Sequence, residues 1–450
     1  MKTDFDTIII GFGKAGKTIA GKLAMKGEKV ALIEKDSAMY GGTCINVGCI
    51  PSKRLITDAC ACVPAGGFEE EAAYYKTAIE QKRQLTGALR EANYNKLINA
   101  GVKIIDGEAS FKDKNAVEVH FADGSVSTLT ASKFVINTGS RPVSPAIKGL
   151  EGNPKVFFSE TIMNSDTLPG RLSIIGGGYI GLEFACMYAN FGSSVTIIQD
   201  GPVFLPREDE DIALSIREML DSKGVAVITG AEITEFDGGT VLFTRDGEER
   251  SVDSDAILVA TGRRANTDTL NAENAGIKLT ERKAVDTDEH LRTNISNIWA
   301  AGDVRGKFQF TYISLDDSRI ILSDMSGNGF RTTENRGAFS YSVFIDPPFS
   351  KVGLGEKEVQ VKGLDFKVMK MNTAEIPKAK VIRKPIGMLK ALVDPGTEHI
   401  LGAALFCPES HELINMIKLA MDNGLKYTVL RDFIYTHPTM AEGLNDLFAL

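Results

Sequence analysis

Cysteine and histidine are scarce in this chain, with six of the first and five of the second among 450 residues. Six cysteines are too few to scaffold a protein of this length, so a pair of thiols reads as catalytic, redox-sensing or metal-binding rather than structural. Positive charge is also short: 51 Lys and Arg face 59 Asp and Glu, for a net charge of -8 and a pI near 5.4. That balance argues against nucleic acid or an anionic membrane surface as the main partner and points to small solutes. No apolar run is long enough to span a bilayer, and no segment is of low complexity. The N-terminal Met1 to Asp6 carries two acids and runs directly into an apolar strand, unlike a secretory signal, so the expected location is the cytoplasm. What remains is an ordinary globular composition, 43% hydrophobic and 24% charged, with length for two or three domains.

Two of the cysteines are close together. Cys44 and Cys49 stand in Gly41-Gly42-Thr43-Cys44-Ile45-Asn46-Val47-Gly48-Cys49-Ile50-Pro51-Ser52-Lys53. A bridge closing so short a loop removes little chain entropy, about 2 kcal/mol against about 4.7 kcal/mol for a 100-residue loop, so stability is a poor reason to have it. A redox dithiol is the stronger reading. Cys60 and Cys62 lie too close along a predicted helix to face each other, Cys186 falls inside an apolar helix, and these three with Cys407 are expected to serve packing.

The dithiol follows a nucleotide-binding pattern. The apolar strand Thr7-Ile8-Ile9-Ile10 runs into Gly11-Phe12-Gly13-Lys14-Ala15-Gly16, a helix follows, and a second strand, Val30-Ala31-Leu32-Ile33, ends in Glu34. Gly11, Gly13 and Gly16 permit a tight turn and close approach of a pyrophosphate to the helix start, while Glu34 can accept both ribose hydroxyl protons. The unit recurs: Leu172-Ser173-Ile174-Ile175 leads into Gly176-Gly177-Gly178-Tyr179-Ile180-Gly181, and Val195-Thr196-Ile197-Ile198 ends at Gln199. In both copies the first glycine lies 23 residues before the strand-end residue, and each copy has a later strand stopping at Thr-Gly, Thr138-Gly139 and Thr261-Gly262. Two such units imply two dinucleotides that can exchange electrons. At the strand end an acid favours NAD and a nearby Arg favours NADP. Gln199 is neither; with Asp200 next and Arg207 further along the loop, the reading favours NADH and leaves NADPH open.

These segments, with Ala301-Gly302-Asp303-Val304 and the C-terminal His437-Pro438-Thr439-Met440-Ala441-Glu442, resemble the class I flavoprotein (pyridine nucleotide-disulfide) oxidoreductases, the family of glutathione reductase, lipoamide dehydrogenase and mercuric reductase, over essentially the whole chain. The resemblance implies an α/β fold: two Rossmann-like domains, for FAD and NAD(P), plus a C-terminal α+β domain that builds a homodimer. The expected boundaries are 1–145 with 267–335 for FAD, 146–266 for NAD(P) and 338–450 for dimerisation. By the same resemblance Gly11, Gly13, Gly16, Glu34, Lys35, Gly42, Thr43, Lys53, Thr138, Gly139 and Asp303 would hold FAD. Gly176, Gly178, Tyr179, Gly181, Glu183, Gln199 and Gly262 would hold the nicotinamide nucleotide, with Tyr179 covering its face of the flavin. Lys53 and Glu183 would pair beside the flavin, Cys49 would touch it, and Cys44 would face the acceptor. His437, held by Glu442, would reach the dithiol from the other subunit. A thiolate left after reduction needs a stabilising charge, which Lys53, a helix start after Pro51 and a protonated imidazole would supply; the His-Pro pair is read as opening a helix that brings Glu442 to the ring.

The acceptor divides the family. The chain ends Asp446 to Leu450 without a cysteine pair and starts at the first strand, so neither a C-terminal relay nor an amino-terminal metal carrier is expected. Gly11 to Thr18, Ala38 to Thr43, Phe204 to Asp209 and Gln309 to Asp317 are similar to a bacterial branch that reduces Cu(II) to Cu(I) with NAD(P)H and protects against hypochlorous acid, although that branch has Glu at position 199. Soft thiolates suit Cu(I) and imidazole suits copper in either state, so Cys44, Cys49 and His437 could meet the metal transiently; their spacing is not that of a structural zinc site. The rival readings are a dihydrolipoamide dehydrogenase or other small-disulfide reductase, and a flavin-containing redox sensor that would not need His437, Glu442, Lys53 and Glu183 together.

Overall fold

The computed structural model describes residues 3–62 and 66–449; Met1, Lys2 and Leu450, used in the reading of the termini, lie outside them, as do residues 63–65. Its first sheet starts from Phe5–Ile10, whose last four residues are all buried, as a strand covered on both faces requires. This strand pairs in parallel with Val30–Glu34 on one side and Val126–Ile136 on the other. Lys103–Asp106 extends the parallel sheet at one edge and Ile298–Ala300 at the other. The 11-residue strand Val126–Ile136 does double duty, since its first half also carries an antiparallel extension through Ala116–His120 and Glu108–Asp113.

A second sheet is wholly parallel, in the order Ala226–Ile228, Ser194–Ile198, Arg171–Ile175, Ala256–Val259, Val156–Phe158. Where the chain passes between the two sheets, Ser140–Pro142 going out pairs antiparallel with Arg263–Ala265 coming back. A third sheet, antiparallel throughout, has the order Ser340–Val343, Phe349–Gly353, Ile400–Phe406, Met388–Val393, Lys367–Asn372 and carries the helix Ser410–Asp422. The expected class, two parallel α/β units and a C-terminal α+β unit, is what the chain forms.

Helices fix the dithiol against both parallel sheets. Lys14–Ala24 buries Ala15, Ile19, Ala20 and Leu23, an apolar stripe at helical spacing. Cys49–Ala61 packs on the 32-residue helix Phe68–Asn99 and on the helix Tyr179–Asn190 of the second unit, where Tyr75 from the long helix is fully buried against Tyr188 and Phe191 and its hydroxyl lies 3.0 Å from that of Tyr188. Glu69, Glu70 and Glu71 in its first turn complement the helix dipole. No described helix is long and apolar enough to cross a membrane.

The remaining cysteines divide. Cys186 and Cys407 are buried, as packing residues should be, whereas Cys60 is exposed and Cys62 half-buried, so packing does not account for Cys60. Burial pushes the Cys186 thiol up to about 12.

Candidate active site

Cys49 is the first residue of the helix Cys49–Ala61, not a residue ahead of it; the helix begins two positions before Pro51. Pro51 therefore occupies the third helical position, where its missing N–H is one of the four that have no intrahelical acceptor. Gly48 caps the helix without a side-chain bond, leaving amide donors and the positive end of the dipole beside the Cys49 sulfur. Cys44 lies one short turn earlier, in Thr43–Asn46, and both are free thiols. A hydrogen bond from Cys44 to Cys49, with help from Thr311 and the Lys53 charge and against the pull of burial, lowers the Cys49 thiol to about 6; the same bond and burial push Cys44 up. The Thr311 hydroxyl is 3.3 Å from Cys49 Sγ. The reduced pair thus shares one proton, with the negative charge on Cys49.

Lys53, one turn along the same helix, places Nζ 2.6 Å from Glu183 Oε2 on the helix Tyr179–Asn190. Glu183 Oε1 accepts the Phe344 N–H at 2.9 Å, and the Lys53 ammonium lies 4.8 Å from the Phe344 ring centre. One ion pair joins the dithiol helix, the second nucleotide unit and the C-terminal sheet. The loop bearing Cys44 is held from two helices: Lys17 Nζ donates to the Gly41 carbonyl at 3.1 Å and to Asn93 at 2.8 Å, and burial lowers Lys17 to about 8. Arg90 Nε donates to Asn46, whose amide donates to the carbonyls of Tyr40 and Gly42.

The first glycine loop fits a dinucleotide. Gly11 has φ +102°, and a Cβ there would lie 2.3 Å from the Asn137 carbonyl oxygen; one on Gly42 would lie 2.7 Å from Gly13 Cα. Gly13 caps the helix Lys14–Ala24 without a side chain; the Ala15 and Gly16 N–H groups are taken by Ser314 and Asn137, so those of Gly13 and Lys14 are the helix-start donors that could meet phosphate. Glu34 Oε2 accepts the Phe12 N–H at 2.9 Å, and burial raises its carboxyl against the pull of that bond. Asp303, raised by burial, accepts from Ser140 at 2.8 Å. Thr43 and Gly139 adjoin, and Thr138 donates to the Asn266 carbonyl at 2.7 Å. Lys35 stands apart, exposed and 3.7 Å from Glu108. Asn137 was not singled out from the sequence: its Oδ1 accepts the Gly16 N–H at 2.8 Å while Nδ2 donates to the Ala301 carbonyl at 2.7 Å.

The second loop fits one as well. Gly176 has φ +110° and presses on the Ala260 carbonyl, Gly181 on that of Gly176, while Gly178 and Gly262 face open space. Gln199 Nε2 donates to the Gly201 and Val203 carbonyls at 2.9 and 2.8 Å, while its carbonyl oxygen lies beside Gly177 of the glycine loop. Tyr179 opens the helix, its ring stacked on Tyr341 with centres 5.2 Å apart.

His437 is elsewhere on the chain. Its side chain is 70% exposed, with Nδ1 2.7 Å from Glu442 Oε2, and among the described residues that ring meets no cysteine. The expected helix after Pro438 does not form: a turn carries residues 438–442, the Thr439 hydroxyl accepts the Glu442 N–H at 3.3 Å, and the helix starts at Gly443. One carboxylate trio elsewhere, Asp209, Asp211 and Glu356, is close enough to hold a cation, but the buried Lys390 ammonium already sits among the three.

The chain is 45% identical to RclA of Escherichia coli K12 over 447 residues, 99% of each chain, and 32% identical to dihydrolipoyl dehydrogenase of Haloferax volcanii over 464 residues, 99% of this chain and 95% of that one. The Cu(II) complex of the HOCl-induced flavoprotein disulfide reductase RclA from Escherichia coli superposes with a TM-score of 0.93 at 44% identity, covering 100% of this chain and 99% of that one. Residues 5–318 match the model of the pyridine nucleotide-disulphide oxidoreductases and residues 339–448 the dimerisation domain of the same group. The chain therefore belongs to the pyridine nucleotide-disulphide oxidoreductase family, whose members work with FAD and NAD(P)H.

Proposed function

We propose that this enzyme passes electrons from NAD(P)H through FAD to the Cys44–Cys49 pair and on to Cu(II), in a cytoplasm exposed to reactive chlorine. The observation that carries the reading is the dithiol's setting: Cys49 heads a helix with Cys44 one short turn before it, the Thr311 hydroxyl is 3.3 Å from the Cys49 sulfur, and Lys53 follows one turn along. The full-length likeness to RclA, solved as a Cu(II) complex and described as HOCl-induced, supports copper as the acceptor. In this reading residues 1–145 and 267–335 bind FAD, 146–266 bind the nicotinamide nucleotide, and 338–450 pair two subunits. NADH is the favoured donor, with the free carbonyl of Gln199 accepting from a ribose hydroxyl.

Bound FAD would relay the electron pair of NAD(P)H to the Cys44–Cys49 disulfide. Lys53 and the helix start hold the resulting charge on Cys49, and Cys44 keeps the proton. Glu442 fixes His437 Nδ1–H, so Nε2 of the partner subunit's ring can take the Cys44 proton as that sulfur meets the acceptor. Closing the disulfide releases two electrons and the proton shared by the pair, and the electrons reduce two Cu(II) to two Cu(I). Thiolate and imidazole are donors that copper accepts in passing.

The 32% identity to a dihydrolipoyl dehydrogenase favours a second reading, a small organic disulfide as acceptor. Steady-state NADH oxidation with Cu(II), lipoamide and glutathione disulfide in parallel separates the two. Copper turnover lost in Cys44→Ser is the expected result; a catalytic efficiency orders of magnitude higher with lipoamide would sink the copper reading. NADH consumption that no acceptor accelerates would favour a redox sensor.

A further inference from the structure

The Tyr179 ring, read above as the cover of the nicotinamide subsite, is not free to swing. Its hydroxyl and that of Tyr341 both donate to the same oxygen, Glu208 Oε1, at 2.5 and 2.6 Å, and the two hydroxyls lie 3.0 Å apart. Glu208 is 3% exposed, and its other oxygen is 3.6 Å from Lys351 Nζ. A carboxylate this buried is tolerated only with partners, and it has two phenols and an ammonium. Burial and the Glu208 charge raise both phenols, which keeps them protonated as donors.

The carboxylate is also held in place. Glu208 belongs to the loop that leaves Gln199, the residue at the nucleotide end of the second unit. Gln199 folds the start of that loop through Gly201 and Val203. Its far end is fastened to the C-terminal sheet: Lys351 donates to the Arg207 carbonyl at 3.4 Å, Asp209 Oδ1 accepts the Glu356 N–H at 2.9 Å, and Asp209 Oδ2 meets Lys390 at 3.0 Å. Tyr341 comes from that same sheet, in Ser340–Val343. The anchor of Tyr179 is thus rigid and the ring is what must move.

We propose that Glu208 and Tyr341 are positioning residues that latch Tyr179 shut, so that entry of the nicotinamide ring requires the Tyr179–Glu208 hydrogen bond to break. This rests on Tyr179 being the cover. Part of the binding free energy of the nucleotide is then spent on opening, and a weakened latch raises affinity.

The test is equilibrium binding of NAD⁺ to the flavin-loaded protein by calorimetry, with KM and kcat for NADH measured alongside. Tyr179→Phe keeps the ring and removes the bond. NAD⁺ is expected to bind about tenfold tighter, corresponding to about 1.4 kcal/mol, with the NADH KM falling and kcat changing less. Tyr341→Phe, which changes no charge, is expected to give a smaller shift the same way. Glu208→Gln should tighten binding too, but not further in a Tyr179→Phe background. An equal effect of Glu208→Gln in both backgrounds would mean its charge acts on the nucleotide directly, and would overturn the latch. Unchanged binding in both Tyr179→Phe and Tyr341→Phe would overturn it as well. Tyr179→Ala tests the cover itself: if it alters NAD⁺ binding while the Phe variants do not, the cover stands and the latch falls, and if it alters nothing, both fall.

Discussion

The two nucleotide units are built on one plan and finished differently. Each has a first glycine whose positive φ brings it against the backbone just after the neighbouring parallel strand, Gly11 on Asn137 and Gly176 on Ala260. Those two contact residues are at equivalent places, before Thr138-Gly139 and Thr261-Gly262. In the first unit the Asn137 side chain ties the glycine loop to the strand-end loop through Gly16 and Ala301. In the second, Ala260 has no such reach, Gly178 faces open space, and the neighbouring side chains belong to a loop and a latch. A pinned loop suits a cofactor that stays, and an open loop suits one that arrives and leaves at each turnover.

The harshest way to break this comparison is to add a methyl group to each first glycine. Gly11→Ala puts a Cβ 2.3 Å from a backbone oxygen at φ +102°, and Gly176→Ala puts one 2.6 Å from another at φ +110°. Strain of this kind costs about 1–3 kcal/mol before the clash is counted. Gly11→Ala is expected to purify without flavin. Gly176→Ala should retain flavin while flavin reduction by NAD(P)H slows by about 100-fold or more, a loss of about 3 kcal/mol. Absorbance for the FAD-to-protein ratio and anaerobic stopped-flow reduction check the pair. Flavin loss in both would mean the units are not separable.

Asn137→Ala makes the first unit resemble the second. It leaves the Gly16 N–H and the Ala301 carbonyl without their partner, at about 1–3 kcal/mol for each unmet group. FAD dissociation measured by fluorescence is expected to show affinity weakened about 10- to 100-fold, about 1.4–2.7 kcal/mol, because only part of that cost falls on the bound state. If affinity holds, Asn137 does not distinguish the two units.

How legible these features were follows how local they are. The glycine loops, the strand-end acid and the Cys-x4-Cys pair are contiguous, so their spacing alone suggests chemistry. Thr311, Tyr341 and Glu208 act across 262, 162 and 29 residues of chain, and nothing near any of them marks the partner. Asn137 lay inside a recognised strand end, yet its role depends on three loops meeting. Pro51 misled in a specific way: proline marks helix starts, but it fits any position of the first turn, and here the helix began early enough to include Cys49. At Pro438 the opposite error arose, since a turn alone brings Glu442 to His437.

The comparison also assigns the thiolate to the resident half. Its Cys49 thiol is lowered to about 6 by Cys44, Thr311 and Lys53, none of which comes from the second unit, although Glu183 partners Lys53. In enzyme reduced by two electrons, the long-wavelength thiolate-to-flavin absorbance should be full well above pH 6 and fade as acid protonates Cys49, with a midpoint near 6. Acid removes the band of any thiolate, and the depressed value sets the window, since a thiol at its usual 9.0 would lose the band already near neutrality. The midpoint should be the same whether dithionite or NADH supplies the electrons. In Cys49→Ser the band is expected to vanish and the protein to take up one electron pair instead of two; a band that persists would reverse the roles given to the cysteines, and uptake of two pairs would mean that the Cys44–Cys49 disulfide is not the second acceptor.

The smallest expected effect lies at the other strand end, where Glu34 in the first unit faces Gln199 in the second. Gln199→Glu would give the second unit an acid able to accept from two ribose hydroxyls, but it also removes the donors that hold the Gly201 and Val203 carbonyls. The two effects oppose each other. A gained charge-assisted bond contributes about 1.5–3 kcal/mol and the lost loop bonds about 0.5–1.5 kcal/mol each, so the net preference should move only about three- to tenfold toward NADH, measured as the ratio of kcat/KM for NADH to that for NADPH. The 2′-phosphate of NADPH would meet like charge, so NADPH should lose more than NADH gains. Flavin content is expected to stay constant, because Gln199 touches only its own unit. A ratio that does not move would place the ribose away from residue 199, and the open second unit would then select its nucleotide through the exposed Arg207 instead.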